Sequence, residues 1–134
     1  MEYDLEYENF KRGVTSPTPY VLPDGTPLDL YEECIKSTEC LFNPIIVQKY
    51  NPGLSEILTS LVHNLDQRKE KNYNINQLVN NIVLSGGNTN LVNFGGRLYK
   101  DLIPSIPQHI AMSARIVYPE NRRDLSWKGA SLIT

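Results

Sequence analysis

The residues best placed to do chemistry are Asn81-Ile82-Val83-Leu84-Ser85-Gly86-Gly87-Asn88. A short apolar run with β-branched side chains delivers the chain to two consecutive glycines, and an amphipathic segment follows. Glycine carries no Cβ, so a flat or anionic ligand can approach the backbone there, and the start of a helix offers free N–H groups. The spacing is not GxGxxG and lacks the lysine of GxxxxGK[ST]. A structural tight turn and a nucleotide-contacting turn therefore both stand at this point. Cys34 and Cys40 have neither CxxC spacing nor a histidine cluster beside them, and read as reduced thiols rather than metal ligands or a disulfide. No metal-ligating set is expected. His63 lies just off an apolar stripe and reads as a boundary histidine. The basic groups Arg68-Lys69-Lys71 and Arg122-Arg123-Lys128 lack interleaved aromatic platforms, so they read as a solvated helix end and an exposed turn, not a nucleic-acid surface.

These residues sit in a chain of 134 with 40% hydrophobic and 21% charged residues, an ordinary globular composition. The net charge of −2 conceals a gradient: residues 1–67 hold 4 Lys+Arg against 11 Asp+Glu, residues 68–134 hold 9 against 4. No apolar run approaches the roughly 20 residues of a membrane span, and the N-terminus lacks the basic-then-apolar order of a signal peptide. Secreted, membrane-spanning and zinc-finger readings are set aside.

The elements that must position the glycine turn follow from pattern. Residues 2–12 predict a short acidic helix, ended by Pro17 and Pro19. Pro23-Asp24-Gly25 between two β-prone runs predicts a hairpin over 20–30, with Pro27 confining its second arm to an edge. Tyr31 to Lys36 predicts one or two helical turns ending before Ser37-Thr38, and Cys40 to Pro44 an apolar anchor with a chain reversal. Asn51 as N-cap and Pro52 at the first position predict a helix to about Arg68, with Leu54, Ile57, Leu58, Leu61, Val62 and Leu65 on one face. A polar loop over Gln67–Asn76 and a short helical segment at 75–79 come next. Asn81–Leu84 predicts a buried strand, and Leu91, Phe94, Leu98 and Leu102 a second amphipathic helix ending before Pro104. Gly95-Gly96 inside that helix marks close packing. Ala111–Tyr118 predicts a strand, Glu120–Ser126 a helical turn, and Trp127–Ile133 the start of an element that the chain ends before completing. Strand, helix and strand over 82–117 form a plausible right-handed crossover between parallel strands. The class is α/β.

Four blocks in order carry a family resemblance. Asn81–Gly87 with Asn93-Phe94-Gly95-Gly96-Arg97-Leu98-Tyr99-Lys100-Asp101-Leu102 resembles the signature of actin and the actin-related proteins. Tyr20–Gly25 is similar to the family's Tyr-x-Leu-Pro-Asp-Gly hairpin, Glu39–Pro44 to Glu-Ala-Leu-Phe-Gln-Pro, and Trp127–Leu132 to Trp-x-Gly-Gly-Ser-Leu. Sugar kinases and large heat-shock chaperones share that ribonuclease H-like fold, but the hairpin and tryptophan blocks favour actin relatives. The resemblance implies a partial actin-like lobe, mainly subdomain 3 with a strip toward subdomain 1. It implies a single partial domain over 1–134: a lead-in at 1–19, a core at 20–118 and a C-terminal element at 119–134.

The same resemblance implies a nucleotide wall. Gly86 and Gly87 match the glycines beside the nucleotide, Asn88 follows them, and Arg123 stands where a lysine flanks the adenine. The implied cofactor is ATP or ADP with Mg. Leu91 replaces a tyrosine next to the base. The family's two phosphate-binding hairpins, its water-orienting acid and its adenosine-gripping Lys-Glu pair have no match here, so no hydrolysis by this chain alone is expected. Asp24-Gly25-Thr26 imitates a phosphate loop but belongs to the hairpin. The polar Gln48–Pro52 stretch, the longer Gln67–Asn76 loop and Trp-Lys-Gly-Ala point to a divergent actin-related protein. Its expected role is a structural or interaction subunit of a multiprotein assembly, a chromatin remodeller being favoured. The partners would be other protein subunits, actin or another actin-related protein among them, with no nucleic-acid site and no membrane. The location would be nucleus or cytoplasm, and the alternative an ATP-binding, filament-associated cytoskeletal protein.

Overall fold

The computed structural model describes residues 3–68 and 72–133, and the Lys69 and Lys71 part of the basic loop lies outside them. The chain divides into two compact units at Gly53/Leu54. In the first, helix α1 (Tyr3–Lys11) forms where the acidic segment was expected and packs with helix α2 (Glu32–Glu39). Phe10 joins them, its ring 6.2 Å from both Tyr7 and Tyr31. Helix α2 runs through Ser37 and Thr38, beyond the expected stop. Both hydroxyls bond back along their own helix, to the Cys34 and Ile35 carbonyls, so they neither cap nor break it. Ile35 and Glu39 supply its buried face.

Strands β1 (Thr18–Val21) and β2 (Pro27–Leu30) pair antiparallel from Thr18↔Leu30 to Val21↔Pro27, forming the expected hairpin. Gly25 takes φ +87°, the left-handed conformation that glycine adopts without a Cβ penalty. Asp24 Oδ1 accepts the Thr26 N–H at 2.9 Å. That bond, with the Thr26 hydroxyl adding to it, holds the Asp24 carboxyl below its ordinary value. The sign follows: a depressed carboxylate stabilises the fold above its unfolded pKa, and that contribution is lost as pH falls through the folded value. An NMR titration of the Asp24 carboxyl carbon is expected to give a midpoint below the ordinary 3.8. Thr26→Val, which removes the hydroxyl bond, should move it upward.

After α2 a 3₁₀ turn (Pro44–Val47) reverses the chain. The expected cap at Asn51-Pro52 is not used, because helix α3 starts at Leu54 and ends at Gln67. Gly53 is buried against the Phe42 carbonyl, where a Cβ would collide with backbone, and this holds residues 51–53 out of the helix.

In the second unit α3 is followed by helix α4 (Ile75–Val79), whose N-cap Asn74 accepts the Asn76 N–H. Strand β3 (Ile82–Val83) pairs in parallel with strand β4 (Ile116–Val117), Ile82 opposite Ile116. Helix α5 (Phe94–Leu102), a 3₁₀ turn (Ile103–Ser105) and helix α6 (Gln108–Ala111) lie between them. The expected strand over 111–118 shrinks to two residues: Ala111 ends α6, and Arg115 gives its N–H to Val79. Leu91 stands before α5 rather than within it. Gly95 touches the Tyr118 ring and Leu84, the close approach expected of it. The last segment is a 3₁₀ turn (Arg122–Asp124) and helix α7 (Leu125–Ser131), which contains Trp127. The core is Val62, Ile75, Val79, Leu102, Ile106 and Ile110, with Leu58, Leu65 and Ile82 packed against it.

Candidate functional site: the twin-glycine turn and the groove beside it

The apolar run ends at Leu84, whose N–H continues the ladder to Val117 at 2.8 Å. Beyond it the backbone leaves the sheet. Gly86 adopts φ +99°, and a 3₁₀ turn (Gly87–Asn90) follows. Four hydrogen bonds close this turn into a circuit. The Gly86 N–H donates to the Arg122 carbonyl at 2.9 Å, and the Gly86 carbonyl accepts from Thr89 Oγ1 at 2.7 Å and from the Thr89 N–H at 3.2 Å. The Thr89 carbonyl accepts from Arg122 Nε at 2.9 Å. A hydroxyl pair, Ser85 Oγ and Ser126 Oγ at 3.0 Å, links the turn to α7.

The structure thus brings Gly86, Gly87 and Asn88 against the segment that carries Arg123. Nothing lies within 4 Å of where a Cβ on Gly86 or Gly87 would sit, so the backbone face there is open. The Gly87 and Asn88 N–H groups have no backbone acceptor among the described residues. Arg123 and Asn88 are exposed. The helix start expected to present N–H groups is only a single 3₁₀ turn, so any anion contact rests on two individual amides and not on a helix dipole. Sequence reasoning missed Arg122. Its only signal was the Arg-Arg pair after Pro119, and pattern does not say which of two adjacent arginines turns inward. Arg122 is the half-buried one, over the Tyr118 ring at 5.9 Å.

Beside the turn runs a groove of about 310 Å³, lined by Leu54, Ile57, Leu58 and Leu61 of α3, Val83 and Leu84, and Phe94 and Leu98 of α5. The α3 stripe splits along its length. Val62 is 3% exposed and faces the core, whereas Ile57 at 52% and Leu61 at 51% face the groove. Val83 is 58% exposed, which corrects the expectation that Asn81–Leu84 is a buried strand: its side chain lines the open groove, and of these residues Leu84 is the buried one. His63 binds the Ser105 carbonyl through Nε2 at 2.9 Å, a boundary role. Both cysteines are free thiols, and among the described residues no three His, Cys, Asp or Glu side chains converge on a metal position. No helix of the described residues is long and apolar enough to cross a membrane.

Comparison with known proteins agrees with the local geometry. The actin family model matches residues 4–134. An actin-like protein of Neurospora crassa is 34% identical over 119 residues, covering 85% of this chain and 28% of that protein. The chain therefore spans under a third of that relative's length. The parallel strand pair bridged by α5 and the glycine turn at its edge agree with a partial actin-like α/β lobe. By the extent of that match, this chain belongs to the actin family.

Proposed function

We propose that the chain works as a structural and interaction portion of an actin-related protein within a multiprotein assembly, contributing one wall of a nucleotide cleft. The observation that carries the reading is the α3–β3–α5 groove, where Leu54, Ile57, Leu61 and Val83 stand exposed around the buried Leu84, Phe94 and Leu98 beside an open glycine turn. An apolar surface of this kind marks a face made to be covered. A chromatin remodeller is the favoured assembly, and the location is nuclear or cytoplasmic. The whole of 1–134 is read as part of one actin-type body.

Actin-family proteins bind ATP or ADP with Mg, and the turn fits one side of such a group. Gly87 and Asn88 would donate backbone N–H groups, Gly86 leaves the approach clear, and Arg123 extends from the adjoining segment. The aliphatic Leu91 gives no stacking surface for a base. Bound nucleotide would supply a transferable phosphoryl group. This chain's residues hold and orient it but provide no water-orienting acid at the turn, so hydrolysis is not assigned to them. The exposed hairpin residues Tyr20 and Val21 favour a second reading, a filament-associated actin-like protein in which that hairpin meets a neighbouring subunit.

Sedimentation and phosphate release from the natural full-length protein, with and without Mg-ATP, test the choice. Neither pelleting nor phosphate release above blank is expected, and cross-links from Lys49 and Lys128 should reach other subunits. Robust salt-induced polymerisation would overturn the assembly-subunit reading in favour of the filament one.

A further inference from the structure

We propose that Arg122 is the positioning residue of the glycine wall, fixing the direction of the Gly87 and Asn88 N–H groups by holding the turn at both ends. The inference rests on the nucleotide-wall reading above. One residue closes the loop twice: its carbonyl accepts a hydrogen bond from the Gly86 N–H, and its guanidinium Nε–H donates one to the Thr89 carbonyl, each at 2.9 Å. Between those two anchors lie the two amides that have no backbone acceptor among the described residues. The remaining link, Thr89 to the Gly86 carbonyl, is internal to the turn. Removing the guanidinium opens the circuit at its C-terminal end and leaves Gly87, with its wide backbone freedom, to sample other directions.

Arginine suits the position because its planar fork is held in several ways at once. Nη1 reaches the Pro119 carbonyl at 3.4 Å, and the plane lies over Tyr118. Lysine, with a single terminal ammonium on a flexible stem, has no Nε–H in that place and cannot reproduce the fork. Adjacent arginines thereby divide the work: Arg122 turns inward and braces the wall, while Arg123 stays exposed to meet ligand.

Hydrogen exchange across residues 84–92, with equilibrium binding of Mg-ATP, tests this in the natural full-length protein. Arg122→Gln is expected to speed exchange at the hydrogen-bonded Gly86 and Thr89 amides about tenfold, the scale of a lost charge-assisted hydrogen bond, with α3 and α5 amides unchanged within about twofold. Arg122→Lys should restore little of the protection, and Arg123→Gln should leave it intact. If Arg122→Gln does not fold, Arg122→Lys carries the same comparison. Where the wild type binds Mg-ATP, Arg122→Gln should weaken it about tenfold or more. Unchanged exchange at Gly86 and Thr89, equal loosening of α3 and α5, or loosened exchange with full nucleotide affinity would each overturn the proposal. A wild type that binds no nucleotide, yet whose Arg122→Gln variant loosens only the turn, overturns the nucleotide-wall reading while sustaining the bracing role.

Discussion

Leu102→Ala is expected to cost the unit from Leu54 onward about 2–5 kcal/mol, whereas Leu61→Ala in the same unit should cost under about 1 kcal/mol. Leu102 is 0% exposed and belongs to the cluster of Val62, Ile75, Val79, Ile106 and Ile110. Truncating it removes the transfer free energy of the lost methyl groups and leaves a cavity that helices from three sides cannot fill. Leu61 stands on the groove side of α3 with half its surface in water, so alanine there forfeits little burial and creates no enclosed void. Urea unfolding of the 134-residue chain measures both. The contrast is informative because the two leucines look alike in sequence. A cost at Leu61 matching that at Leu102 would mean that the groove is closed, and the surface offered to partners would disappear with it.

The same contrast shows what the sequence revealed and what it withheld. The 3.6-residue spacing of Leu54, Ile57, Leu58, Leu61, Val62 and Leu65 identified a helix and its apolar side, because one helix suffices to define an angle about its own axis. Which half of that side is covered depends on α4, α5 and α6, and no local spacing encodes them. Hence Val62 and Ile57 were indistinguishable until the fold was known. The hairpin was legible for the opposite reason: Pro23, Asp24 and Gly25 act on their own backbone, and the Asp24–Thr26 bond is complete within three residues. The strand over 111–118 misled because Ala111, Met112 and Ile116 to Tyr118 share apolar or β-prone character while the backbone changes from helix to strand between them. At the site, Gly86 could be read from its type, since a left-handed φ wants glycine. Arg122 could not, since its role depends on the approach of a segment more than thirty residues away from Thr89.

Asp101→Ala should cost about 2–3 kcal/mol, with thermal and urea melts as the measurement. Asp101 Oδ2 accepts the Ser55 hydroxyl at 3.0 Å, and both carboxylate oxygens accept Arg97 Nε, at 3.1 and 2.9 Å. Arg97 and Asp101 are an i,i+4 pair on α5, of a spacing that contributes only a few tenths of a kcal/mol on an open helix surface. Here the side chains are 17% and 28% exposed, so water screens them less, and the Ser55 bond makes the carboxylate a bridge from α5 to the first turn of α3. Alanine removes an acceptor from a buried serine and from a largely covered guanidinium at the same moment. Asn at 101 keeps an acceptor oxygen but surrenders the charge, so its cost should fall between wild type and alanine. A double-mutant cycle with Ser55→Ala should give a coupling of about 1 kcal/mol. Zero coupling would show that the bridge does not join the helices, leaving apolar packing alone to set the spacing of the groove walls. A clear coupling makes the carboxylate the polar fastening between the two helices that line the groove, and so ties the width of the proposed docking surface to a single residue outside it.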